Sequence, residues 1–557
     1  MTADDRTPDD RTPDAGVRVD RAPADAAPAP TGPWRGRAAR VLGGLAVLAL
    51  AGGAVAAGVH LGVADAVPVA AADVDTPPTP TTLACAGTLQ PPAERERGDD
   101  AFDPTPVAPA TTVDAVVAAG RGAGAAEVLP PGRGDATGRL AAGGGVLRLD
   151  PVVDPLVVRG APADTAPVLA AATTSLVSAG DLRGLAAASC TPPGVDDWLV
   201  GGATTVGSTA TLVLTNPGLT TAEVTLEVWG PNGPVEPTTD RHVVAPGATQ
   251  VVDLGGAAAE QRGVVVHVTS TGGQVAAHVQ DSVVEGFTPA GTDLVVPGRG
   301  PAQRQLVPGI VVEESQVGGE VGPALRLLAP GEDGTTARVT LLGGDGPLDL
   351  PGADEVELAA GTVVDVPLAG LPAGAWTVVV DADEPVVAAA VATRTGTAGE
   401  LDDRPRVERA WSAATTAGTS GTSTGTSVDT HGAVALPAGV AATLVVGAVA
   451  DGEDPTATGA GRARLHVLDD DGRVLSEHDV TVDAGTTGSW AVADLAPGAA
   501  DAAGLELEVL GGADVVWAVH LEVAQEDGPL VSVLTPVPVA DAAATLRVRE
   551  DPRATRG

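Results

Sequence analysis

Residues 263–281 read GVVVHVTSTGGQVAAHVQD, a run of strand-like alternation, a Gly-Gly break and a second run. The phrase recurs as WTVVVDADEPVVAAAVATR at 376–394 and as LELEVLGGADVVWAVHLEV at 505–523. Period-two patterning and β-branched residues on either side of turn residues predict a β-hairpin each time. Each hairpin closes a unit of about a hundred residues, the size of one small domain. The chain is therefore expected to be an array of β modules.

Working outward, each unit repeats one order of elements. The first opens WLVGGATTVGSTATLVLTNPG at 198–218 and continues VTLEVWGPNGPV at 224–235. Asn232-Gly233, Asp345-Gly346 and Asp471-Gly472 fall at matching places and supply the positive φ of tight turns. No amphipathic 3.6-residue period of useful length competes. The fold class expected is mainly β: tandem antiparallel β-sandwiches of immunoglobulin-like kind behind one N-terminal transmembrane helix. The sandwiches fall at 196–300, 301–408 and 433–545. A Ser/Thr/Gly linker at 409–432 separates the last two, and residues 546–557 form a tail. Ahead of them lie a Pro/Thr-rich spacer at 63–112 and a β-rich region at 113–195 that carries one of the cysteines.

The composition carries a codon signature. The chain has no lysine and no tyrosine, one isoleucine (Ile310) and two asparagines, Asn216 and Asn232. Those residues need A/T-rich codons, so valine and alanine fill roles that larger side chains fill elsewhere. Cores of such residues bury less area each, at about 25 cal/mol per Å². The formal charge of −40 excludes a phosphate-backbone binder, because nucleic-acid affinity comes from cations displacing counterions. A solvated acidic surface that keeps an exported protein soluble accounts for it.

Val41 to Val59 carries no charge, and Arg35, Arg37 and Arg40 precede it. Nineteen helical residues span roughly 28 Å, close to the thickness of a bilayer's hydrocarbon. A single membrane pass at 41–62 is expected, with residues 1–40 forming a disordered cytoplasmic tail and the bulk of the chain outside. The alternative is a signal peptide cleaved near Ala70-Ala71-Ala72, with secretion of the remainder. Both readings export Cys85 and Cys190. In an oxidising compartment an isolated pair reads as one disulfide, with two free buried thiols as the alternative. Two thiolates alone cannot complete a zinc shell.

Several motifs imitate chemistry. Gly421, Ser423 and Gly425 match a nucleophile elbow, with Asp429 and His431 following in hydrolase order. An elbow needs a flanking strand and helix, and a Ser/Thr/Gly run supplies neither. Gly120, Gly122 and Ala125 match a dinucleotide turn, but Pro130-Pro131 would cut short the helix it must open. Val467 to His478 imitates a calcium loop around Asp469, Asp471 and Gly472, yet fails at its first and twelfth positions. His267 and His278 flank Gly272-Gly273 and would face each other across a hairpin, with no third metal ligand in view. Arg133-Gly134-Asp135 is an adhesion-like tripeptide expected by chance in this composition. Trp198, Trp229, Trp376, Trp490 and Trp517 suit either sandwich cores or a sugar-stacking platform. These motifs lead to an expectation of no catalytic residue, no cofactor and no metal.

CAGTLQPP around Cys85, ASCTPPGVDDWLVGGATTVGSTATLVLTNPG from Ala188 and VTLEVWGPNGPV after it resemble an actinobacterial exported family, domain of unknown function 5719. The likeness extends over nearly everything beyond the apolar segment. It implies an envelope-associated, non-enzymatic β protein and transfers no catalytic residue. The expectation is a membrane-anchored or secreted cell-envelope protein that binds or scaffolds, with an envelope protein or a cell-wall glycan as partner. A glycan-binding protein is the first alternative and a hydrolase of envelope polymers the second.

Overall fold

The computed structural model describes residues 49–50, 72–75, 80–91, 106–120, 123–132, 134–162, 167–313, 322–349, 355–399, 403–418, 431–450, 459–496, 502–539 and 545–548. The chain divides into a small unit, Met1–Val74 with Arg547–Gly557, and a large one, Asp75–Leu546. The expected membrane segment at 41–62 lies outside the described residues except for Ala49 and Leu50, which are helical. Among the described residues no helix is long and apolar enough to cross a membrane. The expected tails, 1–40 and most of 546–557, also lie outside.

The large unit is mainly β, in several antiparallel sheets. It contains the same eight-strand pattern four times. In the copy at 196–295 the strands are, in order, Asp196–Val200, Ser208–Thr215, Ala222–Gly230, Gly233–Val235, Thr249–Asp253, Val265–Thr271, Ala276–Glu285 and Thr288–Val295, with Arg241–Val244 also pairing with the third. One sheet runs first–sixth–third–fourth and the other fifth–second–seventh–eighth. The copies beginning at Thr81, Ala302 and His431 repeat both orders. Each module builds its core between its two sheets. In the second, Leu199, Val224 and Val266 of one sheet bury against Leu212, Ala277 and Val279 of the other.

This arrangement corrects one expectation. The repeated stretches are not hairpins. Val265–Thr271 pairs with Asp196–Val200 and Ala222–Gly230, while Ala276–Glu285 pairs with Ser208–Thr215 and Thr288–Val295. The Gly272-Gly273 turn, with Gly272 at φ 78°, carries the chain from one sheet to the other. Gly504–Gly511 and Asp514–Val523 do the same across Gly511-Gly512. In the third module no break is needed, because Gly374–Ala398 is one strand of 25 residues. Its first half pairs with Ala302–Val312 and its second half with Ala324–Leu328. Strand–turn–strand reads alike for a hairpin and for a crossing between sheets, since both alternate with period two.

Strand positions also differ from the expected boundaries. Thr81–Cys85 and the start of Ala110–Val117 are strands inside the expected 63–112 spacer, and with the 113–195 region they make the first module. The strands Pro405–Ala413 and His431–Ala435 likewise occupy both ends of the expected 409–432 linker. The turn between Glu285 and Thr288 is a hairpin, and so are the third-to-fourth connections, where Gly230 pairs with Gly233 and Gly343 with Gly346. Asn232-Gly233 and Asp345-Gly346 sit at those turns as expected.

The four modules meet along their eighth strands. Gly184–Ser189 packs beside Thr288–Val295 and Leu530–Leu534, and Pro405–Ala413 packs beside the same two, closing a ring of four. Gly184 is required there. A Cβ on it would stand 2.7 Å from the Thr292 carbonyl oxygen and 3.0 Å from Glu408 Oε1. The cores of the first and fourth modules run together through His431–Ala435, which lies against Leu169–Val177.

Candidate functional site

The eighth strands hold a buried polar cluster contributed by all four modules. Asp281, Asp293 and Glu408 are each at most 1% exposed. Asp293 Oδ2 accepts from Trp411 N at 2.7 Å, and its Oδ1 lies 2.7 Å from Ser532 Oγ. Ser532 Oγ accepts from Ala187 N and donates to Ala187 O, each at 3.1 Å. Ser532 has one hydroxyl proton, which both the Ala187 carbonyl and the Asp293 carboxyl are placed to accept. Burial raises the Asp293 carboxyl to about 8, against the hydrogen bonds that oppose the shift. Burial likewise raises Glu408 well above the carboxylate range, although Arg183 lies 3.7 Å away. Asp281 accepts from Trp411 Nε1 at 2.8 Å and lies 3.6 Å from Arg409. Arg183 forks onto Asp527 at 2.8 and 2.9 Å. These contacts lock the modules to one another.

At one end of this junction the three connections between modules converge on a cavity of about 370 Å³. Cys190 to Asp197, Pro297 to Arg299 and Ala414 to Gly418 form part of its wall. Val509, Val515, Val516 and Trp517 of the fourth module supply an apolar side. Polar groups reach it from Asp197, Arg299 and His431. Burial, with the charge of Asp196 beside it, raises Asp197 to about 7, and His267 opposes the shift. Burial lowers the Arg299 pKa. A concave, mainly apolar pocket with few convergent polar groups is the usual form of a small-ligand site.

A second concavity, about 400 Å³, opens between the second and third modules. Its floor is an aromatic stack on the outer face of one sheet. His267 stacks on Trp198 at 4.0 Å, and Trp198 on Trp229 at 5.4 Å. Strand register places them: Trp198 is opposite His267, which is opposite Glu227. His267 Nδ1 lies 2.8 Å from Glu227 Oε2 and its Nε2 3.1 Å from Asp196 Oδ1. Glu332, Asp333 and Glu384 form the rim.

The residues singled out in the sequence fare differently. Cys85 and Cys190 form a disulfide that ties the first strand of the first module to the end of its eighth. His267 and His278 do not face each other, because they belong to different sheets. Burial alone lowers His278 to about 4. Ser423 and Asp429 lie outside the described residues, while His431 Nε2 contacts Glu506 Oε1 at 2.7 Å. Past Gly120 the chain enters the strand Ala123–Leu129, where a dinucleotide turn would need a helix. Asp469 Oδ1 accepts from Asp471 N and Arg473 N, making the calcium-like run a hairpin turn. Asp135 is exposed and Arg133 lies outside the described residues. Trp198 and Trp229 come together, whereas Trp376 plugs the third core and Trp517 borders the cavity. Among the described residues, no group of three or more His, Cys, Asp or Glu is arranged to hold a metal.

Sequence reasoning missed Arg299, Asp197 and the buried acids. Arg299 sits in a PGRGP turn with nothing to mark it. Asp281, Asp293 and Glu408 sit in strands that mix polar and apolar residues, so nothing in the sequence marked them as buried.

No curated protein matches the chain. The crystal structure of Thermotoga maritima 1070 aligns with 20% of this chain and 92% of its own at 16% identity, with a TM-score of 0.16, too slight a likeness to argue from. The family match begins within the first module, so Cys85 lies outside it, and it runs through the second and third modules into the fourth. The chain belongs to the family of unknown function DUF5719, whose model matches residues 146–493.

Proposed function

We propose that this chain is a non-enzymatic, exported cell-envelope protein, membrane-anchored through 41–62 or secreted, of actinobacterial type. Four β-sandwich modules fixed about a common centre act as its binding and scaffolding element. One observation carries the reading: each module contributes an eighth strand to the same buried junction, which makes a rigid presenting body of four otherwise similar domains. The Cys85–Cys190 disulfide supports export, since such bonds persist in oxidising compartments. The apolar run behind Arg35, Arg37 and Arg40 supports an anchor.

In-cell thiol labelling tests the location. With a membrane-impermeant maleimide reagent applied to intact cells, a cysteine placed at the exposed Val206 (Val206→Cys) should be modified. Modification only after lysis would overturn export. Crosslinking in intact cells followed by recovery of the chain should yield a discrete envelope partner, and a chain recovered alone would overturn scaffolding.

A second reading, recognition of a cell-wall glycan, is favoured by the Trp198–Trp229–His267 shelf with its carboxylate rim. Indole faces and carboxylates suit the apolar faces and hydroxyls of sugars. Quenching of tryptophan fluorescence by soluble wall glycan, lost on Trp229→Ala, is the expected result. An unchanged titration in that variant would set the reading aside.

A further inference from the structure

The cavity where the connections between modules meet is lined by a cation that has no counterion among the described residues. Arg299 is the single arginine among its described lining residues. Its backbone N–H donates to Ala414 O at 2.8 Å, which pins the residue between two connections. Burial lowers its pKa, a sign that the guanidinium is being taken out of water. The buried arginines of this chain are handled otherwise. Arg183 pairs with Asp527 and Glu408, Arg326 with Asp365, and Arg394 with Glu313. Arg299 has no such partner among the described residues, although the chain carries 72 acids against 32 basic residues. Asp197 lines the same cavity without pairing with it.

Leaving a half-buried guanidinium unpaired is costly, and a planar fork of donors matches carboxylate and phosphate oxygens. The volume of about 370 Å³ lies at the small end of the range for ligand sites, roughly 300–1,000 Å³. Val509, Val515, Val516 and Trp517 line the same cavity with apolar side chains. We propose that this cavity binds a small amphipathic anion, with a carboxylate or phosphate head at Arg299 and an apolar body along the fourth module. The inference stands independently of where the protein resides and of the glycan reading.

The test is calorimetric titration of the full chain with decanoate, decyl phosphate, decanol and decyltrimethylammonium, all below the concentrations at which they form micelles. One site is expected for decanoate or decyl phosphate, and the preferred head identifies the ligand class. Decanol should bind at least tenfold more weakly and the ammonium least of all. Arg299→Gln should weaken the anion about ten- to a hundredfold, the worth of a charge-assisted hydrogen bond, while leaving decanol unchanged; Arg299→Lys should restore part of the loss. Equal binding of decanoate and decanol by the wild-type chain, or none, would overturn the proposal. That head-group comparison stands even if the Arg299 variants do not fold.

Discussion

Asp293→Asn should make the protein less sensitive to alkali without disturbing it at acid pH. Asp293 is buried at the junction of four modules, with Trp411 N donating to one oxygen and Ser532 Oγ within 2.7 Å of the other. Its carboxyl is raised from 3.8 to about 8, with burial the first cause and the charge of Asp281 adding to it. The sign follows from proton counting. Between those values the folded state holds a proton that the unfolded state has released, so stability falls as pH rises. The contribution is complete below pH 4 and lost as pH passes 8. At about 1.4 kcal/mol per pH unit, the window carries on the order of 5 kcal/mol. Glu408 adds a loss of the same sign, since its carboxyl is also raised. Asparagine reproduces the protonated acid: its amide donates to Ser532 and its carbonyl accepts from Trp411. Urea unfolding of both proteins from pH 4 to pH 9 is the assay. The variant should match wild type near pH 4 and gain on it at a slope approaching about 1.4 kcal/mol per pH unit toward pH 8. Parallel curves, or a variant that loses ground as pH rises, would refute the raised carboxyl that burial imposes on Asp293.

Three further outcomes are open to direct measurement. Cys85→Ala with Cys190→Ala releases a loop of sequence separation 105 and should cost about 4–5 kcal/mol in the chain-entropy account, read as a lower urea midpoint. Gly184→Val drives side-chain atoms into the Thr292 carbonyl and Glu408, and should lower stability by about 1–3 kcal/mol; limited proteolysis should then cut first at the connections between modules. Ser532→Ala removes the group that bridges Ala187 and Asp293, and should cost about 1–3 kcal/mol at neutral pH through the buried groups left unpaired.

Much of the architecture was legible in the chain, and the rest was hidden for definite physical reasons. Alternation in 263–281, 376–394 and 505–523 identified strands, because it reports which face of a strand meets the core. It does not report the strand's neighbour. Val265–Thr271 and Ala276–Glu285 would alternate in the same way whether they bonded to each other or faced each other across a core. Asn232-Gly233 and Asp345-Gly346 were read correctly because there the positive φ and the two-residue span fix the pairing. The first module was read only as a β-rich region at 113–195, because its first strand, Thr81–Cys85, lies in a Pro/Thr-rich stretch and its third-to-fourth turn lacks an Asn-Gly or Asp-Gly. Cys85 and Cys190 were readable as a pair, whereas Arg299 and Asp197 become a site only when segments distant in sequence converge.

The buried acids answer a problem that repetition creates. Four modules of one topology offer four similar eighth strands, and apolar surfaces of valine and alanine could dock in many orders. The polar side chains differ from strand to strand. Gly184–Ser189 offers backbone groups at Leu185 and Ala187, Thr288–Val295 offers Asp293, Pro405–Ala413 offers Glu408, and Leu530–Leu534 offers Ser532. Only the observed order gives Asp293 both Trp411 N and Ser532, and gives Glu408 both Leu185 N and Arg183. Any exchange leaves a buried acid facing aliphatic side chains or a second acid, which costs several kcal/mol. The cluster thus selects one arrangement from many that apolar contact alone would permit. The variant carrying both Asp293→Leu and Ser532→Val tests this, because it keeps an apolar junction while erasing its code. Such a chain should remain folded module by module, with near-native far-ultraviolet dichroism, yet lose its single compact form in small-angle scattering. A compact, wild-type scattering profile from that variant would show that shape alone selects the order.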